Sequence, residues 1–294
     1  MSQSRLLLGL PAPAKVNLFL HVGPPSPDGF HQLSSLMVFA DLGDRLTLEP
    51  ADWLELNIEG EFGAGLSAGA DNLVLRAVSA LFNAANKAAQ PLRLTLDKVL
   101  PVAAGLGGGS SDAGAALRLV RDYFDLAVDD DGLERIAASL GSDGAACFRQ
   151  RSVLALGRGE QLSPVIGLPS LDAVLVNPRV ASPTGPVFRA YDDSGAPGSA
   201  DAPQLPSRFA DARDAAAFFG LRRNDLEAPA AALIGEIAGV LAVLRRQPES
   251  LLARLSGSGA TCFALCADQQ QAERLAAKLS ADHPRWWVRR CRLG

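Results

Sequence analysis

The chain has 294 residues, about twice the length of a typical domain, and this length favours two domains. Hydrophobic residues make up 48% and charged residues 20% of the sequence, a balance that predicts a folded globular protein and excludes a disordered one. The 28 basic and 32 acidic residues give a formal net charge of -4, which provides no positive field for binding nucleic acid. No apolar run reaches the ~20 residues of a membrane span, so no membrane partner is expected. Together with the net charge, which argues against nucleic acid, this leads us to expect small-molecule partners.

The cysteines and histidines do not have metal-ligand spacing, so no side chain is predicted to bind a metal. Cys262 and Cys266 lie in an apolar segment typical of a buried strand. We interpret these two cysteines as reduced core thiols, which indicates a cytoplasmic protein.

The first half of the sequence mixes strand and helix patterns. Apolar and polar residues alternate over 44–49, 53–58 and from Leu92 towards Pro101, as in half-buried strands. Helices are predicted at about 72–89, 110–124 and 131–140, and a strand is predicted at 153–156.

The second half predicts an α+β layout of its own. Its expected elements are a strand at 173–176, a helical region at 224–246, strands on both sides of 256–259, a helix at 268–280 and a strand at 285–291. Residues 193–208 are rich in Gly, Pro, Ala and Ser, so we expect a mobile surface loop that packs poorly. We place the domain boundary between 160 and 161, with domains 1–160 and 161–294.

The strongest local signal is a glycine-rich segment that leads from a strand into a helix, Leu100-Pro-Val-Ala-Ala-Gly-Leu-Gly-Gly-Gly-Ser-Ser-Asp-Ala-Gly. Bare backbone N–H groups at a helix N-terminus favour an anion, and two hydroxyls suited to capping the helix follow the glycines. The segment therefore predicts a phosphate site, and a plain flexible linker is the alternative. A Walker A loop is excluded because no Lys follows Gly109, and the third Gly of a dinucleotide fingerprint is missing.

This loop resembles the ATP loop of the GHMP kinases. Residues 13–18 and 255–263 resemble the first and third motifs of that superfamily, in the same order along the chain. The resemblance implies an α+β fold of two domains: an N-terminal ATP-binding domain similar to ribosomal protein S5 and a ferredoxin-like C-terminal domain. It also implies an active site in the cleft between them.

Five further segments are similar to the 4-diphosphocytidyl-2-C-methyl-D-erythritol kinase family within this superfamily: residues 12–20, 27–31, 140–143, 157–160 and 224–227. The resemblance implies ATP-dependent phosphorylation of the 2-hydroxyl of that cytidyl substrate, in the non-mevalonate isoprenoid pathway. A cytoplasmic monomer or weak homodimer is expected. Another GHMP kinase, of homoserine or mevalonate type, and a non-catalytic ATP-binding sensor are the alternatives.

By resemblance, the catalytic residues are Lys15 and Asp143, with Asp143 as the base and Lys15 as its electrostatic partner. Lys15 lies in an apolar segment where an unpaired charge would be costly. The alternatives are a snorkelling lysine at a strand edge and a solvated loop carboxylate.

The resemblance assigns ATP binding to the loop and to two residues at the adenosine end, Asn72 and Lys98. The loop residues are Pro101, Val102, Ala103, Ala104, Gly105, Leu106, Gly107, Gly108, Gly109, Ser110 and Ser111. A helix N-cap for Asn72 and a surface location for Lys98 are the alternatives. Mg²⁺ is expected with ATP because the phosphates need a counter-charge.

The resemblance also implies a cytidine pocket formed by Asn17, Phe30, His31, Thr184 and Phe188. Phe30 and Phe188 would sandwich the base, each presented by a short rigid loop. Core phenylalanines and a surface histidine are the alternatives.

Two departures from the family pattern stand out. The family commonly has Val-Pro after the catalytic Asp, whereas this chain has Gly144-Ala145, which predicts a less stiff loop. Phe30 replaces the usual Tyr, so it keeps the stacking face and loses a hydroxyl.

Overall fold

The computed structural model describes residues 8–195 and 198–294, which form two compact units. The first unit contains residues up to Ala14, Gly43–Val102 and Gly107–Gln150; the second contains Lys15–Leu42, Ala103–Leu106 and Arg151–Gly294. Two long strands, β1 (Leu8–Pro25) and β2 (His31–Glu49), contribute residues to both units.

The first unit packs helices against one face of a sheet. Its further elements are β3 (Leu54–Glu59), α1 (Leu73–Ala84), β4 (Leu92–Asp97), α2 (Gly108–Phe124), α3 (Asp130–Leu140) and α4 (Gly144–Arg149). Strand β4 pairs with β3 in parallel and with the end of β2 in antiparallel register, so that Leu96 faces Leu46. The alternating leucines of β4 pack with α1 and α2 in one buried core, as the sequence pattern predicts.

The second unit is also a sheet covered by helices. Its further elements are β5 (Val153–Gly157), β6 (Gln161–Pro164), β7 (Leu171–Asn177), α5 (Thr184–Asp193), α6 (Ala212–Gly220), α7 (Glu227–Leu233), α8 (Gly235–Arg245), β8 (Leu252–Leu255), β9 (Cys262–Leu265), α9 (Gln269–Asp282) and β10 (Trp287–Leu293). Strand β7 lies between β10 and β9, and β8 pairs with β9, all antiparallel. The mixed α+β class predicted from the sequence is confirmed.

Several expected boundaries are wrong. Helix α1 ends at Ala84 instead of near residue 89, and the helical region 224–246 is broken at Ile234, which has extended backbone angles. Elements α4, α5, α6 and β6 were not predicted. Elements α4 and β6 are short, and α5 contains Gly and Pro near its start. The apolar periodicity of these three elements is too brief to be recognised.

Residues 193–208 depart in part from the expected loop. Residues 196 and 197 lie outside the described residues, and residues 198–208 contain no regular element. The described part does pack: Gly198 donates its backbone N–H to the Tyr191 hydroxyl at 3.0 Å, and the Asp201 carbonyl lies 2.9 Å from His21 Nδ1. The expectation of poor packing is therefore wrong for this part.

Candidate functional site

The glycine loop joins β4 to α2 and takes backbone conformations that favour glycine. Gly105 and Gly107 have φ angles of +74° and +63°. A Cβ on Gly105 would lie 2.1 Å from the Ser256 carbonyl oxygen, so only glycine fits there.

Helix α2 begins without a side-chain cap. Its N-cap is Gly107, and Ser111 donates its hydroxyl to the Pro13 carbonyl at 2.7 Å. The expectation that the two serines cap the helix is wrong, because both lie inside it. The first N–H groups of a helix have no intrahelical acceptor, and an uncapped start keeps them suited to an anion.

Lys15 is held inside the second unit. It is 3% exposed, and its ammonium donates to Asn17 Oδ1 at 2.8 Å and to the Gly105 carbonyl at 3.5 Å. Asn17 in turn donates its amide to Ser35 Oγ at 2.7 Å. A snorkelling lysine is therefore wrong for this position, and pairing of Lys15 with Asp143 stays a prediction.

The third motif contacts both the first motif and the glycine loop within the second unit. The Asn17 backbone N–H donates to Ser256 Oγ at 3.2 Å, and that hydroxyl donates to the Gly105 carbonyl at 2.9 Å. Asn224 donates its amide to the carbonyls of Leu255 and Gly257, at 2.9 and 2.8 Å. Asn224 belongs to one of the segments of family resemblance, but no role is predicted for it from the sequence.

Asp143 is half-buried and lies at the N-cap of α4 in the first unit. Gly144 follows it and donates its N–H to the Gly141 carbonyl at 2.9 Å. A Cβ on Gly144 would lie 1.9 Å from the Ala137 carbonyl oxygen of α3. The expectation of a loosened loop is therefore wrong, since glycine here permits α4 to approach α3 closely.

The predicted cytidine pocket residues lie in the second unit. His31 is 8% exposed, with Nδ1 2.9 Å from the Gly23 carbonyl and Nε2 3.4 Å from the Asp192 carboxylate, so a surface histidine is wrong. The Phe188 ring is half-buried, 5.2 Å from the His31 ring between centroids. Phe188 lies on α5 and not on a loop, which corrects that expectation.

Phe30 is 55% exposed, which excludes a core phenylalanine. The Arg158 guanidinium lies 4.2 Å from its ring centroid and pairs with Asp28. Thr184 is exposed, with Oγ1 3.0 Å from Ser258 Oγ. A Phe30–Phe188 sandwich around a base stays a prediction.

The two residues predicted for the adenosine end differ in their surroundings. Asn72 caps α1: its Oδ1 accepts from the Val74 N–H at 2.9 Å, and its Nδ2 donates to the Ser67 carbonyl at 2.8 Å. Lys98 is 4% exposed and lies between Asp44 and Asp112 in the first unit. A surface lysine is therefore wrong for this position.

All four cysteines are buried and form no disulfide, and the prediction of core thiols for Cys262 and Cys266 is confirmed. Burial raises the pKa of Cys266 to about 12 and the pKa values of Cys262 and Cys291 well above the ordinary range, so these thiols are not reactive. Within residues 8–195 and 198–294, no three His, Cys, Asp or Glu side chains group as metal ligands, and no helix is long and apolar enough to cross a membrane.

Comparison with known proteins gives matches over both halves of the chain. Residues 72–151 match the GHMP kinases N terminal domain and residues 205–285 match the GHMP kinases C terminal family. Each match falls within one of the predicted domains, and the boundary between 160 and 161 stays a prediction.

The 4-diphosphocytidyl-2-C-methyl-D-erythritol kinase of Caulobacter vibrioides is 57% identical over 294 residues, covering 100% of both chains. A crystal structure of 4-(cytidine 5'-diphospho)-2C-methyl-D-erythritol kinase superposes with a TM-score of 0.78 at 33% identity, covering 98% of this chain and 99% of that one. Homoserine kinase from Cytophaga hutchinsonii shares the fold, with a TM-score of 0.69 at 17% identity over 99% of this chain and 95% of that one. The chain therefore belongs to the GHMP kinases and, within them, to the 4-diphosphocytidyl-2-C-methyl-D-erythritol kinase family.

Proposed function

We propose that the protein transfers the γ-phosphoryl group of ATP to the 2-hydroxyl of 4-diphosphocytidyl-2-C-methyl-D-erythritol, in the non-mevalonate isoprenoid pathway. The observation that carries this proposal is the hydrogen-bonded network of Lys15, Gly105 and Ser256. It joins one residue from each of the three kinase motifs in a chain 57% identical to a relative of that name.

ATP binds with its phosphates against the glycine loop, residues 101–111. Phosphoryl transfer depends mainly on positioning and on electrostatic stabilisation of the developing charge. Lys15 supplies a positive charge whose position is fixed by Asn17 and the Gly105 carbonyl. A fixed charge needs little reorganisation when the phosphoryl group moves, which is the advantage of its burial.

Asp143 serves as the general base. A bond forms between the substrate 2-oxygen and the γ-phosphorus, the bond from that phosphorus to the leaving ADP oxygen breaks, and the hydroxyl proton passes to the Asp143 carboxylate. Asp143 is half-buried at the N-terminus of α4.

The cytidyl group of the substrate is bound by Phe30, His31 and Phe188, with Asn17 and Thr184 contributing polar contacts. Stacking on an aromatic ring contributes about 1–3 kcal/mol of binding free energy per base. The hydrogen-bonding edge of cytosine distinguishes it from other bases. The exposed Phe30 ring and the half-buried Phe188 ring each present surface for such stacking. Asn72 and Lys98 are assigned to the adenosine end of ATP, Lys98 through its backbone, since its ammonium is bonded to Asp44 and Asp112.

Mg²⁺ accompanies the nucleotide. The described residues contain no group of three His, Cys, Asp or Glu side chains that could hold a metal ion. A Mg²⁺ ion bound with ATP would supply a counter-charge for its phosphates. No protein ligand is assigned to this ion. The buried reduced cysteines support a cytoplasmic location, and a monomer or weak homodimer is assigned.

An acceptor panel tests the proposal. ADP release from ATP is measured by a coupled assay with the cytidyl substrate, with homoserine and with mevalonate. We expect release only with the cytidyl substrate. Turnover of homoserine or mevalonate instead would identify another GHMP kinase, and ATP binding without any turnover would identify a non-catalytic ATP sensor.

A further inference from the structure

A cluster of three buried charged side chains in the first unit contacts both ends of the glycine loop. It consists of Asp44 on β2, Lys98 directly after β4, and Asp112 in α2, with exposures of 1%, 4% and 2%. Buried charged side chains are rare unless they are paired, so this grouping calls for a specific role.

Asp44 holds the chain where it enters the loop. Its Oδ1 accepts the backbone N–H groups of Val99 and Leu100 at 2.7 and 2.8 Å, directly before Pro101. Its other carboxylate oxygen accepts from the Lys98 ammonium. One carboxylate thereby fixes both the backbone and the lysine at this end of the loop.

Asp112 fixes the other end. Its Oδ2 accepts from the Lys98 ammonium at 2.8 Å, and it belongs to the beginning of α2. A Cβ built on Gly108 would lie 3.0 Å from Lys98 Nζ, so the ammonium lies directly against the first residue of the helix. The lysine therefore links the entry of the glycine loop to its exit.

The charges of the cluster do not balance, because two carboxylates share one ammonium. Asp112 Oδ1 has no hydrogen-bond partner within the described part of the chain. Burial, opposed by Lys98 and reinforced by Asp44, raises the pKa of Asp112 to about 7. A buried ionic cluster of this kind contributes little net stability compared with apolar packing, but it fixes geometry through directional bonds.

The geometry points to Asp44, Lys98 and Asp112 as a positioning cluster that sets the separation of the two ends of the glycine loop for the phosphates of ATP. This inference rests on the proposed function. The three side chains act through the loop backbone, because the Lys98 ammonium is bonded to both carboxylates. Loss of the link is expected to let the loop ends move apart.

Equilibrium titration with ATP tests the cluster in the full-length protein. Asp112→Ala removes the acceptor and is expected to weaken ATP binding at least about tenfold, the loss typical of a charge-assisted hydrogen bond. Asp112→Asn keeps an oxygen acceptor of the same size, and ATP affinity is expected within about threefold of the unmodified protein. The control is Glu49→Gln, which makes the same carboxylate-to-amide change on β2 and removes only an exposed pair with Arg93.

Kinetics separate positioning from general destabilisation. We expect Asp112→Ala to raise the KM for ATP while the KM for the cytidyl substrate stays unchanged. A purely structural role would lower the Tm and leave the ATP affinity of the folded protein unaltered. Normal ATP affinity in Asp112→Ala, or failure of Asn to restore it, would overturn the inference.

Asp44→Asn is the second variant in case Asp112→Ala does not fold. The oxygen of the amide introduced at position 44 accepts from the Val99 and Leu100 N–H groups, so its NH2 group faces the Lys98 ammonium. Both of these groups are donors, and the link to Lys98 is lost. ATP affinity should fall about tenfold here too, and an unchanged affinity would contradict the inference. If the unmodified protein itself fails to bind ATP, the proposed function fails and not the cluster alone.

Discussion

The hydroxyl of Ser256 donates a hydrogen bond to the carbonyl oxygen of Gly105 at 2.9 Å, although 151 positions separate the two residues in the sequence. The Ser256 carbonyl also lies so close that a Cβ on Gly105 would come within 2.1 Å of it. The glycine loop is thereby fitted to the third motif at a point that accepts no side chain.

Gly105→Ala is expected to weaken ATP binding at least tenfold and to lower the Tm. The change adds an atom that clashes with backbone and places Ala at a φ of +74°, a conformation that costs about 1–3 kcal/mol. Titration with ATP and thermal unfolding measure the two effects. Gly65→Ala is the matched control, since Gly65 has a φ of +83° and no atom within 4 Å of its Cβ position. Equal effects of the two changes would show that contact with Ser256 is unimportant.

Asp143→Asn is expected to lower kcat by roughly 10²–10⁴, the range for a lost general base, with little change in the Kd for ATP. Steady-state kinetics with the cytidyl substrate and ATP titration provide both values. Asp130→Asn, a change at an exposed position of α3, is the control and should leave kcat unaltered. Turnover of Asp143→Asn at the unmodified rate would remove Asp143 from the mechanism.

Gly144→Val, which introduces the residue common in the family, is expected to destabilise this protein by about 2 kcal/mol or more. The reason is the Ala137 carbonyl, which lies 1.9 Å from the position of the added Cβ. Denaturant unfolding measures the loss. Gly141→Ala is the control on the same turn, because its Cβ position has no atom within 4 Å and its backbone is extended. A Val variant as stable as the control would show that α4 does not pack so closely on α3.

Phe188→Ala is expected to raise the KM for the cytidyl substrate about tenfold or more and to leave the KM for ATP nearly unchanged, because loss of one stacking ring is worth about 1–3 kcal/mol. Phe188→Tyr keeps the π face and should lose less. Parallel kinetics with each substrate varied in turn give the comparison. An equal rise of both KM values, or unfolding of both variants, would assign the ring to the core around α5.

The stability of the protein is expected to depend on the titration of Asp112. Its pKa is raised from 3.8 in the unfolded chain to about 7 in the fold, so the folded state retains a proton that the unfolded state loses. The stabilising contribution is complete below about pH 4 and disappears as the pH rises through about 7. The charged groups that face Asp112 in the described residues are Lys98 and Asp44.

Asp112→Asn removes this titration, so its Tm relative to the unmodified protein should increase between pH 5 and pH 8. Thermal unfolding of both proteins across that range measures the difference, with Glu49→Gln as the control for a change of one charge. A constant difference in Tm would show that Asp112 has an ordinary pKa.

The sequence predicts the features that depend on local pattern. The alternation of Leu92, Leu94 and Leu96 identifies β4, and the glycine cluster marks the turn into α2, because side-chain period and backbone freedom are local properties. The α+β class follows from the order of such elements.

The sequence does not predict features that depend on distant partners. Lys98 reads as a surface lysine, since the carboxylates that bury it come from Asp44 and Asp112, which lie 54 and 14 positions away. Gly144 reads as a flexible point because the carbonyl that requires it belongs to Ala137 on another helix. Phe188 reads as a loop residue, since Gly and Pro at the start of α5 conceal a short helix stabilised by its packing.

The site of phosphorylation tests the central claim most directly. The 2-carbon of the substrate bears a methyl group and no hydrogen, so a phosphate on its oxygen has no three-bond coupling to a carbinol hydrogen. Phosphorus NMR of a reaction with ATP and the cytidyl substrate should therefore show a new phosphomonoester resonance without such splitting, formed by the unmodified protein and strongly reduced with Asp143→Asn. A new resonance split by a neighbouring hydrogen, or the absence of any new phosphomonoester, would contradict transfer to the 2-hydroxyl.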